Sequence, residues 1–316
     1  MKLLKKTVWL SLSLALASPA ALAQDKMSLV LDWFVNPDHA PLVIAQEKGF
    51  FKEQGIELEL IEPADPSMPP KLVAAGKADL AVTYQPQLHM QIDEDLPLTR
   101  ISSLVDNPLN SLVVLENSPI KTVADLKGKK VGFSVGGFED VLLGAMLNHH
   151  GLSLSDVELI NVNWSLSPSL IAKKTDAVIG AFRNFELNQM ILENQPGRAF
   201  YVEEHGVPAY EELIIVVNNK EREAKDKWQR FNRALQQAVD YIHAQPEQAW
   251  EEFKAYKPKE LDTELNRMAW KDTLPYLAKN PAKLERARYE NFAQFMFDKQ
   301  LLKKAPPAVD SYAIEP

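Results

Sequence analysis

Two stretches of this chain, 28–83 and 130–181, repeat one order: short apolar strands alternating with helices. That order constrains the fold more than any other feature. Strand, helix and strand in succession give parallel neighbours joined by right-handed crossovers, with helices on the sheet faces. Ligands of such sheets sit beyond the carboxyl ends of the strands, so the loops after the strands are where a site is expected.

In the first stretch a strand is predicted over 28–32. A polar loop follows, and Pro41 opens a helix with Leu42, Val43, Ala45, Phe50 and Phe51 as its apolar positions. Ile56-Glu57-Leu58-Glu59-Leu60 alternates strictly, which predicts a strand with one buried face. A helix over 68–75, closed by Gly76, and a buried strand over 78–83 complete the unit. The second stretch reads as strand 130–135, helix 138–148, strand 157–161, helix 168–173 and strand 177–181.

Apolar runs at 111–115 and 213–217 are expected to be the crossover strands between two lobes. The expected architecture is α/β, with lobe I built from 24–115 plus 218–316 and lobe II from 116–217. After 218 the pattern is helical. Trp228, Phe231, Leu235, Val239 and Ile242 recur at helical spacing, and Pro246, Pro258 and Pro281 divide the remainder. Residues 305–316 contain three prolines and are expected to form a loose tail.

Residues 1–23 stand apart. Lys2, Lys5 and Lys6 precede an apolar run of about ten residues, from 8 to 17, too short to span a bilayer. Pro19 breaks it, and Ala21-Leu22-Ala23 has the small-x-small form read by signal peptidase. A cleaved signal peptide and an exported, periplasmic product are expected. Loss of the three lysines lowers the formal charge from −8 by three, to −11. That balance argues against a nucleic-acid partner. The chain has no cysteine, which excludes disulfides, thiol catalysis and thiolate metal centres.

The most unusual loop is Leu31-Asp32-Trp33-Phe34-Val35-Asn36-Pro37-Asp38-His39-Ala40-Pro41. It sets aromatic and polar side chains just past a strand end, so Asp32, Trp33 and Asn36 are candidate ligand contacts, with Trp33 equally suited to the core. His39, just before Pro41, suits a hydrogen bond at the helix start and is counted with the ligand-facing set. Thr83-Tyr84-Gln85 follows the third strand; Tyr84 can stack on a planar ligand and Gln85 can hydrogen-bond it. Ser134-Val135-Gly136-Gly137-Phe138 joins strand to helix, and Gly136 and Gly137 let backbone N–H groups approach an oxygen-rich group or simply make a tight turn. Glu186 lies just after the strand at 177–181, where a carboxylate can accept from a ligand amino group. His149 and His150 are neighbours that diverge on a helix and make a poor metal pair. No Ser–His–Asp, H-E-x-x-H or nucleophile-elbow pattern is present. Neither metal nor cofactor is expected.

These segments resemble the thiamine-pyrimidine-precursor superfamily. The resemblance is carried by Leu31-Asp32-Trp33 with Asn36-Pro37 and His39-Ala40-Pro41, by Lys48-Gly49-Phe50-Phe51 and Gln54-Gly55, by Glu62-Pro63-Ala64-Asp65-Pro66, by Gly76-Lys77-Ala78-Asp79-Leu80, and by Asp125-Leu126-Lys127-Gly128-Lys129-Lys130-Val131-Gly132. It runs from about 29 to 256 and implies the periplasmic-binding-protein type II fold. One branch of the superfamily delivers formylaminopyrimidine to an ABC permease for salvage; the other comprises fungal hydroxymethylpyrimidine phosphate synthases. The fungal resemblance would require a Lys, to hold pyridoxal phosphate, four residues after Asp79 and a His four further on. Thr83 and Gln87 stand there, and no Cys lies near 208–212, where the fungal Cys-rich run would fall. The transport branch is favoured, and the chain is not expected to be an enzyme.

That branch implies Trp33 and Tyr84 as stacking residues and Glu186 as the amine acceptor. Asp32, Asn36 and Gln85 would add hydrogen bonds, and Gly136-Gly137 would seat a polar tail. Arg183 stands where the family commonly has an aromatic. The expected partners are a small pyrimidine and an ABC permease of the inner membrane, with the protein itself a monomer. Riboflavin or another planar ring is the alternative ligand.

Overall fold

The computed structural model describes residues 24–316. The leader expected over 1–23 lies outside the described residues. Ten strands form two five-stranded sheets of matching topology. The first is ordered β2-β1-β3-β10-β4, from Asp25–Val30 (β1), Ile56–Ile61 (β2), Leu80–Thr83 (β3), Leu98–Val105 (β4) and Leu213–Asn218 (β10). The second is β7-β6-β8-β5-β9, from Asn110–Leu115 (β5), Lys130–Phe133 (β6), Glu158–Asn161 (β7), Ala177–Phe182 (β8) and Gly197–Tyr201 (β9). In each sheet three parallel strands meet one antiparallel strand: β10 against β3, and β5 against β8.

The strands follow their sequence patterns. β2 alternates buried and exposed over its first four residues, whereas β3 and β10 are buried throughout, as central strands covered on both faces must be. The long helix Lys225–Ala244 turns Trp228, Phe231, Leu235, Val239 and Ile242 inward, and Phe231 meets Phe51 of the first sheet's helical layer at 5.2 Å between ring centres. The bound helices therefore cover the first lobe, as its periodicity predicts.

Two expectations change, and one strand was unmarked in the sequence. The runs at 111–115 and 213–217 do not bridge the lobes. β5 pairs only within the second sheet and β10 only within the first, because each has a full set of partners on both sides. The chain instead crosses at 106–109 and 202–212. Glu212 ties the two crossings together: its Oε2 accepts from the N–H groups of Leu109 (2.6 Å) and Asn110 (2.9 Å) and from the Tyr210 hydroxyl. The unmarked strand is β4. Its run Thr99-Arg100-Ile101-Ser102-Ser103 breaks apolar periodicity, yet all of it is buried. The polar groups are satisfied in place. Arg100 forks onto Glu211 and donates to three main-chain carbonyls, and Ser102 donates to Asn232. The second change is the tail, which is docked. Tyr312 and Ala313 are buried, and Arg100 N–H bonds Tyr312 O while Ile314 N–H bonds Arg100 O, extending the edge at β4.

Candidate functional site

The carboxyl ends of β1 and β3 face those of β6 and β8 across a cleft of about 390 Å³, counted out to its open mouth. From the first lobe, the loop after β1 supplies Asp32, Trp33, Asn36 and Asp38, and Tyr84 follows β3. From the second lobe come Glu139, Gly180, Phe182, Phe185 and Glu186. No lysine or arginine lines the cleft.

The first-lobe wall is a hydrogen-bonded unit. His39 Nδ1 accepts from Asn36 N–H, so Nε2 carries the proton and donates to Asp32 Oδ1 at 2.9 Å. The Tyr84 hydroxyl donates to Asp32 Oδ2 at 2.8 Å. Asp32 is thus held at both oxygens. Asn36 caps its own turn through Asp38 N–H and Phe34 O. The Tyr84 ring stacks on Phe138 of the second lobe, 4.2 Å between centres and 7° from parallel, so one of its faces is already covered. Trp33 meets Trp164 of the second lobe edge to face at 4.6 Å, and Phe34 meets the same ring at 4.6 Å. These three rings form an aromatic lip between the lobes.

The second-lobe wall is built twice over. After β6 and after β8 the chain turns on a Phe and starts a helix with Glu: Phe138-Glu139 and Phe185-Glu186. The turning residues share nearly one geometry, with φ/ψ of −132°/−64° at Phe138 and −120°/−64° at Phe185. Each carboxyl reaches back to the loop it left: Glu139 Oε2 accepts from Ser134 N–H at 2.6 Å, and Glu186 Oε2 from Phe182 N–H at 2.7 Å. Burial raises both. The Glu186 carboxyl is pushed up to about 8, opposed by the Phe182 N–H. The Glu139 carboxyl lies well above the usual carboxylate range, with nearby Glu186 and Asp140 adding to the effect of burial. Desolvation wins because no cation is there to compensate. Asp38, fully buried, rises to about 6 for the same reason, with His39 and Asn184 pulling it down.

Of the residues singled out in the sequence, Asp32, Trp33, Asn36, Tyr84 and Glu186 line the cleft. The others do not. His39 stands behind Asp32 and orients it. Gln85 is wholly buried, bonded to Glu211 N–H and to His89. Gly136 and Gly137 serve the turn: Gly137 N–H donates to Asp140 Oδ1, and Glu139, not the glycine pair, lines the cleft. Arg183 is spent on Glu203, on the carbonyls of Leu109 and Asn110, and on the Tyr201 ring. Sequence reasoning missed Asp38, Glu139, Gly180 and Trp164. The repeated Phe-Glu step was the available signal for Glu139, and a glycine inside the apolar strand β8 was the signal for Gly180.

Across the cleft the lobes also meet by a polar clasp. Asn184 Nδ2 donates to Asp38 Oδ1 at 2.6 Å and to Thr273 Oγ1 at 2.7 Å, and Asn188 Nδ2 donates to Asp272 at 2.7 Å. Among the described residues no group of three or more His, Cys, Asp or Glu side chains is arranged to hold a metal ion, and no helix is long and apolar enough to cross a membrane.

The family described as NMT1/THI5 like matches residues 36–249. A putative thiamine biosynthesis protein of Haemophilus influenzae is 59% identical over 293 residues, covering 93% of both chains. The formylaminopyrimidine-binding protein of Halalkalibacterium halodurans is 30% identical over 228 residues, 72% of this chain and 69% of that one. A 4-amino-5-hydroxymethyl-2-methylpyrimidine phosphate synthase of Aspergillus parasiticus is 29% identical over 288 residues, 86% and 83% of the two chains. In structure, the alkanesulfonate-binding protein of Xanthomonas axonopodis pv. citri superposes with a TM-score of 0.72 at 16% identity, over 93% of this chain and 99% of that one. The fold is the periplasmic-binding-protein type II fold.

Proposed function

Because the chain belongs to the NMT1/THI5-like family, we propose that it is the periplasmic substrate-binding component of an ABC importer that captures an aminopyrimidine precursor of thiamine, of the formylaminopyrimidine type. One observation carries this reading: an aromatic cleft with four buried carboxyl groups, from Asp32, Asp38, Glu139 and Glu186, and no lysine or arginine in its lining. Such a lining suits a flat ring rich in N–H donors. It offers an anion no positive partner, so the ligand named for the sulfonate-binding neighbour is a poor candidate here despite the shared fold. The two lobes closing on a ligand, with the crossings at 106–109 and 202–212 as hinge, fit the same role.

An enzyme of the fungal type is disfavoured by the strand end at β3. Thr83 Oγ1 donates to Gln87 Oε1 at 2.6 Å in a buried pair. There is no amine at that position to form a Schiff base with an aldehyde cofactor. The test is native mass spectrometry on protein refolded free of ligand, offered equal amounts of formylaminopyrimidine, riboflavin and an alkanesulfonate. A single adduct of formylaminopyrimidine supports the proposal; preferential capture of either competitor overturns it.

A further inference from the structure

The second-lobe wall carries two carboxyls where one would suffice to meet a ligand amino group. Glu139 and Glu186 begin their helices in the same way, from the adjacent parallel strands β6 and β8, and both line the cleft. We propose that the two act as a pair that reads one edge of a neutral aminopyrimidine, Glu186 accepting from the exocyclic amino group and Glu139 donating to the neighbouring ring nitrogen. This rests on the proposed function and adds Glu139 as a specificity-determining residue.

The seat of Glu139 is built for it. A Cβ placed on Gly180 would lie 2.3 Å from the Glu139 carboxyl carbon and from Oε1, and 2.5 Å from Oε2. Gly180 also has φ of +101°, which L side chains rarely adopt. The carboxyl therefore lies flat on the glycine, 3% exposed, with Oε2 fixed by Ser134 N–H. The charged and titratable groups facing it are Glu186, Asp140 and Tyr84, none of them a cation. Burial in such company favours the protonated carboxyl, the form that can donate. The pair then presents a donor beside an acceptor, which complements the acceptor beside a donor on an aminopyrimidine edge. A neutral acid and a neutral ring meet with no charge left buried, so recognition carries no desolvated ion.

The experiment compares formylaminopyrimidine with its aniline analogue, which keeps the amino group and lacks the ring nitrogens. Affinities are measured by calorimetry for the wild type, Glu139→Leu, Glu139→Gln and Gly180→Ala. The wild type is expected to prefer the pyrimidine by tenfold or more. Glu139→Leu, which cannot donate, and Gly180→Ala, which displaces the carboxyl, should each narrow that preference to about twofold. Glu139→Gln fits the same seat, keeps an acceptor for Ser134 N–H and retains a donor, so it folds and should keep the preference. A role confined to stability would weaken both ligands alike and leave the ratio unchanged. An unchanged ratio in Glu139→Leu and Gly180→Ala overturns the inference, as does a ratio in Glu139→Gln as low as about two. A wild type that binds both compounds but equally well overturns the inference alone. A wild type that binds neither overturns the proposed function and this inference with it.

Discussion

Asn184 donates to Asp38 across the cleft at 2.6 Å, joining residues 146 apart in sequence. The contact exists only when the lobes are together, so it stabilises the closed form and not the open one. Asn184→Ala should therefore weaken ligand binding by about 1–2 kcal/mol, roughly five- to thirtyfold, mainly through faster release. Stopped-flow dissociation measures this. The ligand-free variant should also show a larger radius of gyration than the wild type by small-angle scattering. Wild-type release and an unchanged radius would show that the clasp does not hold the lobes.

Stability should fall as pH rises from about 6.5 to 8.5. Burial lifts Glu186 from 4.5 to about 8 and Glu212 from 4.5 to about 7. A raised carboxyl contributes fully below its unfolded value and loses that contribution as pH climbs through the folded one. His89, pushed down by burial from 6.5 to about 3, has the opposite slope, but only below 6.5. Above that the carboxyls decide, each contributing up to about 1.4 kcal/mol per pH unit. Thermal melting of the ligand-free protein across this window should show the decline, and Glu186→Gln should flatten it and melt higher at pH 8.5. A Tm that rises with pH in the wild type would contradict these assignments.

Glu212 fastens one lobe crossing to the other through Leu109 and Asn110. Glu212→Ala strands two buried N–H groups and the Tyr210 hydroxyl, and should cost about 2–4 kcal/mol in urea unfolding. Glu212→Gln keeps an acceptor and should cost less than half as much. Equal losses in the two variants would mean that side-chain bulk, rather than hydrogen bonding, matters at the crossing.

If residues 1–23 are a cleaved leader, the exported protein begins at Gln24. Sequencing the N-terminus of the periplasmic fraction gives a direct answer. Recovery of the chain with Met1 from the cytoplasm would remove the periplasmic role.

Much of the fold was legible because local pattern and burial coincide. Ile56–Ile61 alternates and is half buried; Ala177–Phe182 is apolar and central. β4 was not legible, since Arg100 and Ser102 reach the core only through Glu211 and Asn232, more than a hundred residues away. The site divides in the same way. Asp32, Trp33, Tyr84 and Glu186 follow strand ends, which sequence can mark. Gln85 follows one too, but its partner is the main chain at Glu211 rather than the cleft. Asp38 reads as a solvated loop residue until Asn184 and Thr273 are brought to it. Glu139 hides behind two glycines that resemble an anion-binding turn, and Gly180 is what shows the carboxyl to be the occupant of that corner.

The central claim is that the acidic, aromatic cleft takes an aminopyrimidine. Calorimetric titration of ligand-free protein with formylaminopyrimidine tests it most directly. One site per chain is expected, with affinity lowered about ten- to a hundredfold by Glu186→Leu, which removes the acceptor and leaves the ligand's amino group buried without a partner. No heat of binding with formylaminopyrimidine, or wild-type affinity in Glu186→Leu, would contradict it.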